Sequence, residues 1–254
     1  MPTDTDSSRS KLQRVRHSIA SRGLFRTVAD VATLLLAYHP ERDHSFDRAF
    51  GTDTAGSVPT SRLGIDDPEM RASAILYLPS PPKVTRWMLN HIGVRYRDFA
   101  FVDLGCGKGR VILVASEYPF KEVIGVEISS ELSAIARSNS ARYQPPKRQG
   151  TPIRVENVDA TSFGFPTTNL VLHLYHPFES FVTAAVLSKL QESLVTTPRH
   201  VVVAYLTYES ASAAVRDVFA GFPWLRMDRH EQSVLGHYDW LIYSNRRPPG
   251  TESE

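Results

Sequence analysis

Runs of five to seven mostly apolar residues recur along this chain, and helical stretches separate them. The runs are "FAFVD" (99–103), "VIGVE" (123–127), "IRVEN" (153–157), "LVLHLY" (170–175) and "HVVVAYL" (200–206). Most are nearly continuous in apolar character, as expected of strands covered on both faces of a parallel sheet. Between them lie "GRVILVASEY", "SELSAIARSNSARY", "SFVTAAVLSKLQESL" and "ESASAAVRDVFAG", each able to form a crossover helix. Strand–helix alternation of this kind defines an α/β chain with a doubly wound sheet. The alternation stops near the C-terminus, where "WLRMDRHEQ" and "HYDWLIYSN" are joined through "SVLG". No helix fits in that gap, so the two runs must pair as an antiparallel hairpin. The expected fold is therefore a seven-stranded, mostly parallel sheet ending in an antiparallel hairpin.

The rest of the chain is less regular. Residues 1–70 read as a helical and irregular extension, 71–246 as the α/β domain and 247–254 as a disordered tail. Within the extension, "SSRSKLQRVRHSIASRGLFR" is rich in Ser and Arg, as a transit peptide would be. Asp4, Asp6 and the lack of a secretory apolar core argue instead for a disordered tip followed by an amphipathic helix from about Lys11 to Tyr38. Residues 40–70 carry several turn-formers and no sustained period, so an irregular connector is expected. A helix should begin near Pro82, with Val84, Trp87, Met88 and Ile92 on one face and Gly93 at its end. The longest apolar run near the N-terminus, Val31 to Tyr38, is far too short to cross a bilayer. Cys106 is the only cysteine among 254 residues, which rules out an intrachain disulfide and favours a cytoplasmic setting. A formal charge of +2 indicates no general polyanion partner.

The chemistry concentrates at the ends of the strands. "FVDLGCGKGR" follows the first of them with Asp103, Gly105, Gly107 and Gly109 at alternate positions. A dinucleotide fingerprint needs G-x-G-x-x-G, yet its third glycine is replaced by Arg110. No phosphate-binding G-x-x-x-x-G-K-[ST] occurs either. A carboxylate followed by close-approach glycines suits a ligand with an amino-acid moiety: Asp103 attracts an ammonium, and the glycines remove Cβ clashes. Helix N-terminal amides beyond Gly109 then face a carboxylate. Glu127 ends the second strand, one strand–helix–strand unit later, where a carboxylate can accept from both hydroxyls of a ribose. Asp159 lies just past the third strand, positioned either to meet an exocyclic amine of adenine or only to cap a turn.

These residues resemble motifs I, II and III of the class I, Rossmann-like S-adenosylmethionine-dependent methyltransferases, over about residues 75–245. The resemblance implies S-adenosyl-L-methionine as cofactor, bound by Asp103, Gly105, Gly107, Gly109, Glu127, Asp159 and Ala160. A narrower similarity lies upstream. "YLPSP" looks like the Y-x-P-T-P segment of small protein-lysine methyltransferases, with Ser80 in place of the usual Thr, and it nominates Tyr77, Pro79 and Ser80 as further cofactor contacts.

After the fourth strand, "LYHPFES" resembles the [ND]-P-P-[FY] motif of amino methyltransferases, with His176 in the Asn or Asp position and one Pro missing. His176 and Tyr175 are the candidate catalytic residues, and Pro177 and Phe178 the candidate substrate contacts. A neutral His can accept a hydrogen bond from an amine or act as base for a hydroxyl, and it reads equally well as a hydrogen-bonded loop residue. The acceptor implied is an amine, foremost a protein lysine. The alternatives are O-methylation of a small metabolite with His176 as base, or a non-catalytic cofactor-binding module. A nucleic-acid acceptor is disfavoured because only the N-terminal segment is basic. His173 and His176 lack the Cys or carboxylate neighbours of a metal site, so no metal is expected. Lys108 and Arg110 read as solvent-facing or supporting groups, and Cys106 as packed in the loop.

Overall fold

The computed structural model describes residues 42–65, 75–144, 151–232 and 238–246. The helix expected over about Lys11–Tyr38 and the tail from 247 lie outside the described residues. The strands are β1 (Phe99–Leu104), β2 (Val123–Glu127), β3 (Ile153–Asn157), β4 (Asn169–Tyr175), β5 (Val201–Tyr208), β6 (Arg226–Gln232) and β7 (Tyr238–Ser244). They form one sheet in the order β3-β2-β1-β4-β5-β7-β6. The first five are parallel, and β7 enters antiparallel between β5 and β6. The expected architecture is thus present, with each strand within two residues of its expected bounds.

Helices among the described residues are α1 (Ser45–Phe50), α2 (Pro82–His91), α3 (Arg110–Ala115), α4 (Ser130–Arg142), α5 (Ser180–Thr196) and α6 (Ser212–Ala220). Pro82 starts α2 with a φ already suited to a helix, and Gly93 (φ +66°) follows its end. Its buried stripe is Thr85, Met88 and Leu89, with Val84 and Trp87 only half-buried at its flank. Ser129 caps α4, its hydroxyl accepting from the Leu132 N–H.

Two cores sandwich the sheet. On one face Met88, Leu89, Ile112 and Tyr143 pack on Phe101, Val171 and Ile242. On the other, Val186, Leu187, Leu190 and Phe219 pack on Leu172, Val203 and Leu241. Each fully buried Leu, Ile or Phe contributes about 1.5–3 kcal/mol. All of β1 is buried, whereas β3, at the sheet edge, is only half-buried, which explains the charges in "IRVEN". The helices switch faces between β1 and β4, and in such sheets that switch point opens a crevice at the carboxyl ends of the strands.

Connector residues 42–56 are more built than their sequence suggests. Phe46 and Phe50 pack against Tyr143 with ring centroids 5.6 and 4.9 Å away. Val58 and Tyr77 form an isolated antiparallel bridge, which lays the "YLPSP" segment beside the glycine loop.

Candidate active site

β1 ends at Asp103–Leu104, and the chain then turns through Gly105, Gly107 and Gly109, all at positive φ (72, 54 and 90°). The turn is tied to β2: the Gly105 and Cys106 N–H groups donate to the Val126 carbonyl. Glu127 completes the tie, its Oε2 accepting from Gly107 N–H (2.8 Å) and its Oε1 from Ser129 N–H (2.9 Å). Burial pushes this carboxyl above the ordinary glutamate range, with the two amides pulling the other way. Each carboxylate oxygen keeps a lone pair for a further donor.

Two side chains close over the loop, and both need its glycines. A Cβ on Gly107 would lie 2.2 Å from the Tyr77 ring, and one on Gly105 would lie 2.6 Å from Pro177 Cβ. The glycines therefore admit Tyr77 and Pro177 as well as any ligand. Cys106 is buried, and burial pushes its thiol well above the ordinary cysteine range, so it is no nucleophile.

The crevice beyond the loop has about 100 Å³ of accessible space within roughly 790 Å³ of atom-free volume that includes its mouth. Its walls bring together Tyr77, Gly105, Gly107, Glu127, Asp159, Ala160, Tyr175, His176, Pro177 and Phe178. Ile128, Leu132 and Val158 add an apolar surface that sequence reading had not singled out. A smaller recess continues inward, lined by Tyr77, Pro79, Ser80, Asp103, Gly105 and Tyr175. Every residue nominated from sequence except Gly109 lines one of these two spaces. Gly109 instead packs against Ala136 and precedes α3.

Asp159 caps a turn, accepting from the Thr161 N–H and hydroxyl, and it also lines the crevice. His176 has φ +37°, a left-handed backbone that is uncommon outside glycine. Its Nδ1 lies 3.2 Å from Thr207 Oγ1 and 3.4 Å from the Tyr205 hydroxyl. Burial lowers its pKa below the ordinary histidine value, with Glu179 acting weakly in the opposite sense. The imidazole is therefore neutral at pH 7, as an acceptor or base must be.

A hydrogen-bonded strap around Asp47 was not legible in the sequence. The buried Asp47 carboxylate accepts from Thr52 Oγ1, Thr54 N–H, Thr54 Oγ1 and Ala55 N–H at 2.6–2.9 Å. Arg110 donates from Nε to Thr54 Oγ1 (2.7 Å), and its guanidinium lies 5.6 Å from the Phe46 ring centroid. Far from facing solvent, its side chain is 2% exposed. Lys108 donates to Asp53 and to the Ala55 carbonyl, and Asn139 bonds Asp53 and Lys108 from α4. The Tyr77 hydroxyl closes the network by donating to the Thr54 carbonyl at 2.7 Å. The strap thus sets the ring that covers Gly107. The only local hint of it is an Arg directly after the last glycine.

The two spaces suit a ligand with an apolar ring, a diol and a zwitterionic tail. Residues 101–196 match the family model described as a methyltransferase domain. A protein-lysine N-methyltransferase of Saccharolobus islandicus (strain REY15A) is 42% identical over 64 residues, which is 25% of this chain and 39% of that protein. The match spans well under two thirds of that relative. Among solved structures, a ribosomal protein L11 methylase from Lactobacillus delbrueckii subsp. bulgaricus superposes with a TM-score of 0.48 at 15% identity, over 65% of this chain and 78% of the other. An RNA methyltransferase from Salinibacter ruber, in complex with S-adenosyl-L-homocysteine, gives 0.43 at 19% identity, over 69% and 100%. Residues 101–196 therefore carry the match to a methyltransferase domain, and the crevice at the ends of its strands is the candidate cofactor site.

Proposed function

We propose that the protein transfers the methyl group of S-adenosylmethionine to an amine, foremost the side chain of a protein lysine. What carries this reading is the convergence, at one sheet edge, of the glycine loop, Glu127 and Asp159 with the His176-Pro177-Phe178 corner. The amine preference rests on the lysine-modifying relative and on the "YLPSP" segment that lines the inner recess.

When bound, the cofactor supplies an electrophilic methyl group on a sulfonium. Asp103 and the glycine loop would hold its amino-acid end, Glu127 would accept from the ribose hydroxyls, and Asp159 and Ala160 would meet the adenine edge. Ile128, Leu132 and Val158 exclude water from the ring. The protein's catalytic contribution is then chiefly alignment. His176, neutral and turned by its Nδ1 toward Thr207, offers Nε2 to the incoming nucleophile. Pro177 and Phe178 form the adjoining wall, and Tyr175 the floor.

A second reading is kept by one observation. Because burial keeps His176 neutral, its Nε2 can remove a proton from a hydroxyl, which would suit O-methylation of a small metabolite.

Isothermal titration with S-adenosylhomocysteine tests the cofactor claim, and no binding by folded protein would sink it. Lysate incubated with radiolabelled cofactor then separates the acceptors. Label in protein that survives hydrolysis to methyl-lysine supports the first reading. Label confined to small molecules supports the second, and a bound but untransferred label leaves a cofactor-binding module.

A further inference from the structure

His173 sits on β4 directly beside Asp103 on β1, at the sheet's switch point. Its Nδ1 lies 2.6 Å from Asp103 Oδ1, and the two side chains are 0% and 4% exposed. A carboxyl group this deep needs a hydrogen-bond partner, and His173 is its only one among the described residues. The imidazole ring lies between Phe101 and Trp240, with centroids 6.1 and 5.7 Å away. Its second nitrogen, Nε2, is buried and makes no hydrogen bond.

That unpaired nitrogen is informative. An apolar side chain would fill the space between Phe101 and Trp240 without burying a polar atom for nothing. A histidine at this position is accounted for by what Nδ1 does. By engaging Oδ1 it fixes the rotation of the carboxylate and leaves Oδ2 without a protein donor among the described residues. Asp103 lines the inner recess beside Ser80, Gly105 and Tyr175. Oδ2 is thereby the oxygen available to a ligand there.

We propose that His173 is a positioning residue for the methyl donor: it holds Asp103 so that one carboxylate oxygen meets the donor's ammonium group. This rests on the cofactor assignment made above. It predicts an effect confined to the amino-acid end of the ligand, because the groups assigned to ribose and adenine lie on β2 and beyond β3.

The test compares two probes by isothermal titration: S-adenosylhomocysteine, which carries the amino-acid tail, and 5′-methylthioadenosine, which lacks it. His173→Asn and His173→Leu have the same branching, and only Asn keeps a donor at the δ position. His173→Leu should weaken S-adenosylhomocysteine binding tenfold or more, while His173→Asn stays within about threefold of wild type. Methylthioadenosine should bind all three proteins within about twofold. If His173→Leu fails to fold by circular dichroism, His173→Phe supplies a donor-free ring. Equal weakening of both probes would reduce His173 to a structural role, and unchanged S-adenosylhomocysteine binding in the donor-free variant would overturn the proposal. Wild-type protein that binds neither probe would instead remove the cofactor assignment itself.

Discussion

Glu127 gives the crevice a pH signature. Burial raises its folded-state pKa above the ordinary glutamate value of about 4.3. If Glu127 receives the ribose hydroxyls as proposed, its protonation would turn that acceptor into a partial donor, so affinity for S-adenosylhomocysteine should fall on acidification, with a midpoint above that of a free glutamate. Titration calorimetry between pH 4 and pH 8 checks this, and a flat profile would remove Glu127 from the site. The stability effect has the opposite sign: a raised acid pKa makes ionisation costly above it, and the cost fades as pH falls through it. At Gly107, replacement by Ala places a Cβ 2.2 Å from the Tyr77 ring at φ +54°. Gly107→Ala should displace that ring, cost about 1–3 kcal/mol in urea unfolding and weaken cofactor binding at least tenfold. Asp103, Glu127 and the glycines were legible because motif residues at strand ends converge in any doubly wound sheet. His173 was not, because its role depends on which strand lies beside β1.

At the scale of elements, the strap from α1 to Ala55 fastens the glycine loop from outside the sheet. Asp47 is its hub. Burial alone would raise its pKa, but hydrogen bonds from Thr54, Thr52 and the Ala55 amide outweigh that and hold it below the ordinary aspartate range. Its contribution to stability is thus full above the unfolded value and lost as pH falls through the folded one. Asp47→Ala leaves several donors unpaired and should cost about 2–4 kcal/mol in urea unfolding. Tyr77→Phe removes only the bond to the Thr54 carbonyl and should cost about 1 kcal/mol, weakening cofactor binding by a few-fold through a looser ring. If Asp47→Ala proves neutral, the strap is not a cohesive element. Sequence reading found only turn-formers here, since a six-residue helix shows no period and its bonds reach partners such as Arg110 and Asn139, 56 and 86 residues away. By contrast, α2 announced itself through Pro82 and Gly93, and α4 through the helical stretch "SELSAIARSNSARY".

Over the whole molecule, His176 and His200 are both held below the ordinary histidine pKa by burial, with Arg246 adding to the effect at His200. The unfolded chain therefore binds protons more readily than the native state just below pH 6.5. The melting temperature should decline as pH is lowered through about 6.5, before the carboxylates titrate. Differential scanning calorimetry from pH 5 to pH 8 reads this directly. A melting temperature constant across that window would mean that neither imidazole is desolvated as its surroundings require. The same architecture explains how one crevice draws on residues from Tyr77 to Phe178. Parallel strands send all their carboxyl ends to one edge, and the reversal between β1 and β4 keeps helices from covering it.

The sequence by itself determined the α/β class, the terminal hairpin, the glycine turn and the acidic residues at successive strand ends. Each of these is a local pattern of period, punctuation and spacing, readable along one dimension. Only the tertiary structure decided that His173 would face Asp103, that Arg110 would be buried under Phe46, and that Tyr77 and Pro177 would lean over Gly107 and Gly105. Those contacts depend on strand order and register and on a strap folding back over the loop. Both are set by the packing of distant segments, which no stretch of sequence carries alone.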